Sequence, residues 1–159
     1  MCICTFMNRK SDREFSGQAM DVANCSCANL RKATRVVTQM YDAALQSVDL
    51  KATQFTLLAT LAKSGGLPLT RLAELLVMDR TTLTRNLKPL MARGLIEAGS
   101  EADQRVRRIS LTEEGQAMFE RALPAWEDVQ RRFVDGLGRQ KWAGFVDDLA
   151  ATVKTVQGE

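Results

Sequence analysis

The sequence predicts a mainly α-helical protein in which a winged helix-turn-helix, with a two-stranded wing, is flanked by terminal helices. Apolar residues recur at intervals of three and four along most of the 159 residues, as they do on the buried face of an α-helix. Two short helical segments over 70–93 are joined by a tight connection, and strand-like residues follow over 95–111.

The same periodicity divides the chain into four parts. Residues 1–24 are polar and unpatterned and predict an N-terminal arm, 25–50 a helix, 51–111 the winged helix-turn-helix domain, and 112–159 two further helices. The first of those two helices would be about 39 Å long at 1.5 Å per residue, more than a small winged domain covers. Because the terminal helices all have apolar faces, we expect them to form the dimerisation domain of a homodimer. Packing within one chain is the alternative.

Hydroxyl and carboxylate residues mark where helices of this fold begin. Thr70 is expected to cap the first short helix, Asp79 the second, and Thr112 the long C-terminal helix. The first short helix is expected to bury Leu72, Leu75 and Leu76. The helix over 52–64 should end at the glycine pair 65–66, because glycine accepts the left-handed conformation of a helix C-terminus.

The second short helix has two unlike faces. If Leu83, Leu87 and Leu90 lie inward, the rotation of 100° per residue turns hydroxyl and basic side chains outward: Thr81, Thr82, Thr84, Arg85 and Lys88. Small hydroxyl residues let a helix enter a major groove, the Arg85 guanidinium can contact a guanine edge, and Lys88 suits a phosphate. The helix is expected to end near Gly94.

Basic charge is concentrated in this part of the chain. Residues 70–111 contain eight Lys or Arg and five Asp or Glu, a net charge of +3 that equals the net charge of the whole chain. Such a patch is typical of a protein that binds nucleic acid. Arg71 and Arg80 belong to it, and they join the outward-facing residues as candidate contacts to double-stranded DNA.

The strand-like segment should form two strands, over 95–98 and 106–111, around an acidic turn. Asp103 and Arg105 lie two residues apart there, so the carboxylate can hold the guanidinium for a minor groove or a phosphate. Arg107 and Arg108 point to opposite faces of a strand, and Arg107 is the further candidate contact. A winged helix that binds another protein instead of DNA is the alternative, against which the basic residues argue.

These motifs resemble the MarR family of transcriptional regulators. Its wing signature, D-x-R followed by an apolar strand and L-T-x-x-G, is matched by 103–105 and 111–115. In the family's recognition helix, residues 82–85 match the pattern T-x-T-R and residues 90–95 match L-x-x-x-G-L. Residues 50–55 match the family's pattern L-x-x-x-Q-F. The resemblance covers about residues 30–154. It implies a homodimer that binds a pseudo-palindromic operator, usually as a repressor released by a small-molecule effector or by oxidation.

The four cysteines form two C-x-C pairs, Cys2/Cys4 and Cys25/Cys27. Cys25 and Cys27 begin the first predicted helix, where the positive end of the helix dipole favours a thiolate and so a redox switch. Four sulfurs also suffice for a soft-metal or iron–sulfur site, although C-x-C is a weaker signal than C-x-x-C. Reduced thiols without a role are the third interpretation. No other cofactor is expected.

Several functional classes are disfavoured by what the sequence lacks. Histidine is absent, which removes the commonest general base and metal ligand, and we expect no enzyme. No apolar run approaches the roughly 18 residues of a membrane span, and no signal-peptide pattern is present, so a cytoplasmic protein is expected. An effector pocket is expected where the terminal helices meet the DNA-binding domain, with these candidate lining residues: Met40, Tyr41, Phe55, Leu58 and Trp126.

Overall fold

The computed structural model describes residues 22–100 and 107–158. Its helices are α1 (Ser26–Leu45), α2 (Ala52–Ser64), α3 (Leu69–Leu75), α4 (Arg80–Ala92), α5 (Glu113–Leu137) and α6 (Arg139–Gln157). Its strands are β1 (Leu67–Pro68), β2 (Ile96–Ser100) and β3 (Arg107–Leu111), and 3-10 turns cover Val22–Asn24 and Gln46–Val48. This mainly helical winged fold confirms the predicted class. Apart from its last three residues, the arm predicted over 1–24 lies outside the described part. The chain divides into two compact units between Val37 and Thr38.

The two predicted wing strands are present, and a third strand joins them. β2 and β3 pair antiparallel, with Ile96 opposite Leu111 and Ser100 opposite Arg107. β1 pairs with the other edge of β3, where Leu67 lies opposite Ile109, so the strand order is β1-β3-β2. β1 has only two residues, which are too few to show an alternating pattern in the sequence. One of them is a proline, which cannot donate a backbone hydrogen bond.

The start of α3 differs from the prediction that Thr70 caps it. The pairing of Pro68 with Arg108 fixes the chain at the end of β1, and α3 begins directly afterwards with Pro68 in the N-cap position. Thr70 therefore falls inside the first turn. Asp79 and Thr112 do cap α4 and α5 as predicted, and Gly65 ends α2 with a left-handed φ of 66°.

The inner face of α3 also differs from the predicted leucine stripe. Leu72 is fully buried and Ala73 is 6% exposed, whereas Leu75 is 54% exposed. At 100° per residue, Leu72, Ala73 and Leu76 fall within one sector of about 100°, and Leu75 lies about 105° from the centre of that sector. The prediction for Leu75 was wrong because Ala73, a small residue, was not counted as part of the inner face.

The core is built from leucines that α2, α3, α4 and the sheet direct toward one another and toward α5. Its fully buried side chains include Leu57, Leu58, Leu72, Leu83 and Leu90. Phe55 is 4% exposed and stacks on Trp126 of α5, with ring centroids 5.5 Å apart. This core fixes α4 in place and leaves its opposite face to solvent.

The terminal helices leave apolar side chains in solvent, as the sequence predicted. No residue of α6 is buried, and the exposed apolar residues of α1, α5 and α6 include Leu30, Val36, Leu137, Phe145, Val146, Val153 and Val156. Burying such side chains away from water would contribute about 25 cal/mol for each Å² of apolar surface. None of the described helices combines the length and the hydropathy needed to cross a membrane.

Candidate nucleic-acid interface

The N-terminal end of α4 is fixed by its cap. Asp79 Oδ1 accepts a hydrogen bond from the Thr82 backbone N–H at 2.9 Å, and Asp79 Oδ2 accepts one from Thr82 Oγ1 at 2.6 Å. The hydrogen bonds from the Thr82 side chain and backbone hold the pKa of the Asp79 carboxyl below its usual value. The group is therefore a carboxylate at neutral pH, and its negative charge complements the positive end of the helix dipole.

The two faces of α4 are those predicted from the sequence. Leu83 and Leu90 are fully buried and Leu87 is 3% exposed, so the inner face belongs to the core. Thr81, Arg85 and Lys88 are exposed. The helix thus presents one hydroxyl and two cationic side chains at successive turns of its outer face.

The three threonines of α4 are not equivalent. The Thr82 hydroxyl donates to Asp79, and the Thr84 hydroxyl donates to the backbone carbonyl of Arg80 at 2.7 Å. Among the described residues, the Thr81 hydroxyl has no hydrogen-bond partner. Of the three, Thr81 is therefore the hydroxyl free to donate to a ligand, while the hydroxyls of Thr82 and Thr84 are bonded at the start of the helix.

The basic residues counted in the charge patch divide into two groups. Arg71 forms an ion pair with Glu74 at 2.9 Å on the exposed side of α3, and Arg93 donates to the backbone carbonyl of Asp49 at 2.6 Å. Within the described ranges, Arg80, Arg85 and Lys88 take part in no ion pair. These three cations of α4 are available to phosphates or base edges, whereas Arg93 is already bound to Asp49 of the same chain.

The wing is described only at its base. Asp103 and Arg105 lie outside the described residues, so their predicted contact stays a prediction. The backbone of Arg107 begins β3 opposite Ser100, which places the residue at the distal end of the paired wing. Arg108 follows it in β3 and is half-buried.

A close junction joins the end of α4 to the start of α5. The Thr112 hydroxyl donates to the Gly94 carbonyl at 2.6 Å and accepts from the Gly115 N–H at 3.0 Å. The Thr112 N–H donates to the Leu95 carbonyl at 3.2 Å. A Cβ on Gly115 would lie 1.8 Å from that same carbonyl oxygen, so the approach of the two helices requires glycine at this position.

The L-T-x-x-G motif thus has a structural role, and a large part of the chain is similar to known proteins. The model of the MarR family matches residues 48–108. The organic hydroperoxide resistance transcriptional regulator of Bacillus subtilis (strain 168) is 33% identical over 105 residues, which cover 65% of this chain and 71% of that protein. The chain belongs to the MarR family.

Solved structures of MarR-family regulators have the same fold as this chain. The M. tuberculosis transcriptional regulator MosR, in complex with DNA, is 35% identical and superposes with a TM-score of 0.78, over 84% of this chain and 97% of that one. The PcaV transcriptional regulator from Streptomyces coelicolor, with its natural ligand, has a TM-score of 0.78 at 21% identity, over 87% and 98%, and shows the fold alone. The chain is accordingly a DNA-binding transcriptional regulator of the MarR type.

The L-x-x-x-Q-F motif of this MarR-family chain organises the start of α2. Leu50 and Phe55 are 2% and 4% exposed, and Gln54 Oε1 accepts from the Lys51 backbone N–H at 2.9 Å. Asp42 Oδ1 in α1 accepts from the Ala52 N–H at 2.7 Å. Sequence reasoning missed this cap because Asp42 lies ten residues away, outside the window in which capping residues are recognised.

A groove of about 420 Å³ opens between α2 and α5. Phe55, Phe119 and Trp126 form its aromatic part, and Lys63 and Gln116 are the polar side chains that line it. Of the residues predicted to line an effector pocket, Phe55 and Trp126 line this groove. Leu58 is instead fully buried in the core, and Met40 and Tyr41 do not line the groove. The Tyr41 hydroxyl donates to Gln130 Oε1 of α5, and burial raises its pKa.

The cysteines that are described are free thiols at the start of α1. Cys25 is half-buried and directly precedes the helix, and Cys27 is exposed in its first turn. The Asn29 side chain donates to the carbonyls of Ala23 and Cys25, at 2.8 and 2.9 Å, and holds this start in place. Among the described residues no three His, Cys, Asp or Glu side chains cluster as metal ligands. Cys2 and Cys4 lie outside those residues, so the four-sulfur site remains a hypothesis.

Proposed function

We propose that this MarR-family chain is a repressor that binds a pseudo-palindromic operator as a homodimer and leaves it when a small ligand binds or a thiol is oxidised. The outer face of α4 carries this proposal. Thr81, Arg85 and Lys88 stand free on a helix whose opposite face is locked into the core. Since a regulator of transcription works where the DNA is, we place it in the cytoplasm.

Each candidate DNA contact has a distinct role in this proposal. Thr81 and Arg85 are four residues apart on the exposed face and enter the major groove, where Arg85 contacts a guanine edge. Thr82 and Thr84 form the helix surface beside them. Lys88, Arg80 and Arg71 contact phosphates, which position the helix without reading sequence. In the wing, Arg105, with Asp103 beside it, and Arg107 contact the minor groove or its phosphates.

Dimerisation follows from the apolar surface of the terminal helices. α6 buries none of its own residues, while Phe145, Val146 and Val153 are between 36% and 42% exposed. A second copy of the same surface would remove these side chains from water, as two-fold symmetric interfaces do. We therefore propose residues 25–50 and 112–159 as the dimerisation domain and 51–111 as the DNA-binding domain.

Two arginine substitutions separate reading of bases from binding of phosphates. Arg85→Ala should weaken binding to the specific site by about 1–3 kcal/mol and relax preference at one base pair. Arg105→Ala should weaken binding to all sequences and lower the slope of log affinity against log salt by about one. Gel shifts on duplexes selected by the wild-type protein, over a salt series, measure both quantities.

Arg121→Ala is the control for these variants, because Arg121 is exposed on α5 and paired with Glu114 at 3.5 Å. It should leave affinity and salt slope unchanged. Equal losses of Arg85→Ala on specific and random DNA would remove the base contact from the proposal. A wild-type protein whose binding does not weaken with salt would contradict the phosphate interface, and would favour the protein-interaction alternative.

The groove between α2 and α5 supports release by a small ligand. Its walls are mostly apolar and include three aromatic side chains, and one wall continues through Gln116 to the α4–α5 junction at Gly115. A ligand that spreads α2 from α5 would therefore act on the helix that holds the end of α4. Ala59 also lines the groove, so Ala59→Phe should fill it and abolish release by any compound that acts there, without loss of DNA binding.

Thiol oxidation is the second proposed trigger. The Bacillus subtilis relative is named for resistance to organic hydroperoxide, and Cys27 is exposed at the start of α1. If these thiols are the switch, the double variant Cys25→Ser, Cys27→Ser should keep its DNA affinity in an organic hydroperoxide that releases the wild type. The measurement is a gel shift with and without peroxide, followed by thiol reductant. Release of the double variant by peroxide would exclude both cysteines.

A further inference from the structure

One side chain ties the C-terminal end of α4 to the end of α1. Arg93 directly follows α4, its Nη1 donates to the Asp49 carbonyl at 2.6 Å, and its Nη2 lies 3.7 Å from Asp49 Oδ2. We propose that Arg93 is a positioning residue that fixes the recognition helix to the end of α1, so that operator affinity depends on the position of α1. The inference rests on the proposed function, because it assumes that α4 enters the DNA.

The acceptor for Arg93 is a rigid point of the backbone. Asp49 follows the 3-10 turn that continues α1, and it has a left-handed conformation with φ of 52°. Its N–H donates to the Gln46 carbonyl at 3.0 Å, and the next N–H, of Leu50, donates to the Leu45 carbonyl at 3.2 Å. Leu45 and Leu50 are 0% and 2% exposed. The Asp49 carbonyl therefore moves with the end of α1 and with the core beneath it.

Arg93, which donates this hydrogen bond, also lies in a segment that is anchored in the core. Leu90, one turn before Arg93, and Leu95, two residues after it, are 0% and 2% exposed. The Arg93 side chain is 30% exposed, whereas the Asp49 side chain is 96% exposed. The shorter contact, at 2.6 Å, is to the carbonyl, and charge-assisted hydrogen bonds of this kind are about twice as strong as neutral ones. The Asp49 carboxylate adds a solvent-screened attraction.

The contact places α4 between the two elements that we assign to dimerisation. Through Arg93, its C-terminal end is bound to Asp49, at the end of the 3-10 turn that follows α1. The contacts of Thr112 with Gly94 and Leu95 bind the same end to the start of α5. Its N-terminal cap, in contrast, is local, because Asp79 bonds only to the first turn of α4 in the contacts described. A shift of α1 in the dimer would therefore move α4, the helix proposed to enter the DNA, through the contact at Arg93.

The test compares Arg93→Met, which keeps the aliphatic stem but removes the donors, with the wild type and Arg121→Met. Specific affinity of Arg93→Met should fall about tenfold, the effect of losing one well-placed charge-assisted contact. Its salt slope and its affinity for random DNA should not change, since Arg93 contacts no phosphate. Its preference among operators with altered half-site spacing should broaden. Arg121→Met should behave as the wild type in all three measurements.

Two outcomes would overturn the proposal. A lowered salt slope with equal loss on random DNA would make Arg93 a phosphate contact, and an unchanged affinity and spacing preference would make its contact with Asp49 purely structural. If Arg93→Met does not fold by circular dichroism, Arg93→Gln, whose amide still donates, should show an intermediate loss of spacing preference. Asp49→Asn keeps the carbonyl and should bind like the wild type. If the wild type itself fails to bind, the proposed function fails instead.

Discussion

Replacing Gly115 by alanine should lower the free energy of unfolding by about 3–5 kcal/mol, more than most single substitutions. A Cβ at this position would lie 1.8 Å from the Leu95 carbonyl oxygen and 2.9 Å from its carbon. Both are backbone atoms, and the Thr112 N–H donates to the same carbonyl, so the clash cannot be relieved by rotation of a side chain. α5 must move away from the end of α4, and the Thr112 contacts that join them are lost.

Gly136→Ala in the same helix is the matched control. A Cβ there meets nothing within 4 Å, and alanine favours a helix by up to about 1 kcal/mol over glycine, so stability should rise slightly. Urea denaturation followed by circular dichroism measures both variants. A Gly115→Ala protein as stable as the wild type would mean that α5 does not approach Leu95 in this way.

Leu83→Ala should destabilise the protein by about 2–5 kcal/mol, since it removes a fully buried side chain and leaves a cavity. The loss arises where α4 meets the core, so the helix that carries Arg85 should lose its fixed orientation. DNA affinity should therefore fall together with stability, and both should recover in part with stabilising osmolytes.

Thr81→Ala separates the two faces of the same helix. Thr81 is exposed and its hydroxyl has no hydrogen-bond partner among the described residues, so stability should change by less than about 0.5 kcal/mol. Specific DNA affinity should nevertheless fall. Stability comes from denaturation curves and affinity from gel shifts on the selected duplex. A Thr81→Ala protein that is unstable, or a Leu83→Ala protein that is not, would reverse the assignment of the faces.

What the sequence could predict depended on local patterns. Leu83, Leu87 and Leu90 recur at helical spacing, and because the structure buries all three, the outward direction of Arg85 and Lys88 was predictable as well. The caps Asp79 and Thr112 lie beside the helices that they begin, so their roles could be recognised within a few residues. The family motifs added the order of the elements and the position of the wing.

The remaining features depend on residues that are distant in sequence. Asp42 caps α2 from ten residues away, and Arg93 reaches Asp49 from forty-four. No spacing rule predicts which carbonyl a guanidinium will contact. Arg93 was therefore counted in the basic patch, although its guanidinium is bound to Asp49. Ala73 was overlooked for a different reason, since a small side chain contributes little to a hydrophobic pattern even when it is buried.

The short strand β1 has an evolutionary consequence for the wing. Because β1 and β2 hold both edges of β3, the base of the wing is anchored independently of the six residues between Ser100 and Arg107. Insertions, deletions and changes of charge in that interval would therefore leave the pairing of Ile109 with Leu67 and Ala98 intact. Descendants of this gene could therefore strengthen or weaken the contacts of the wing with DNA by altering the interval while inheriting the same scaffold.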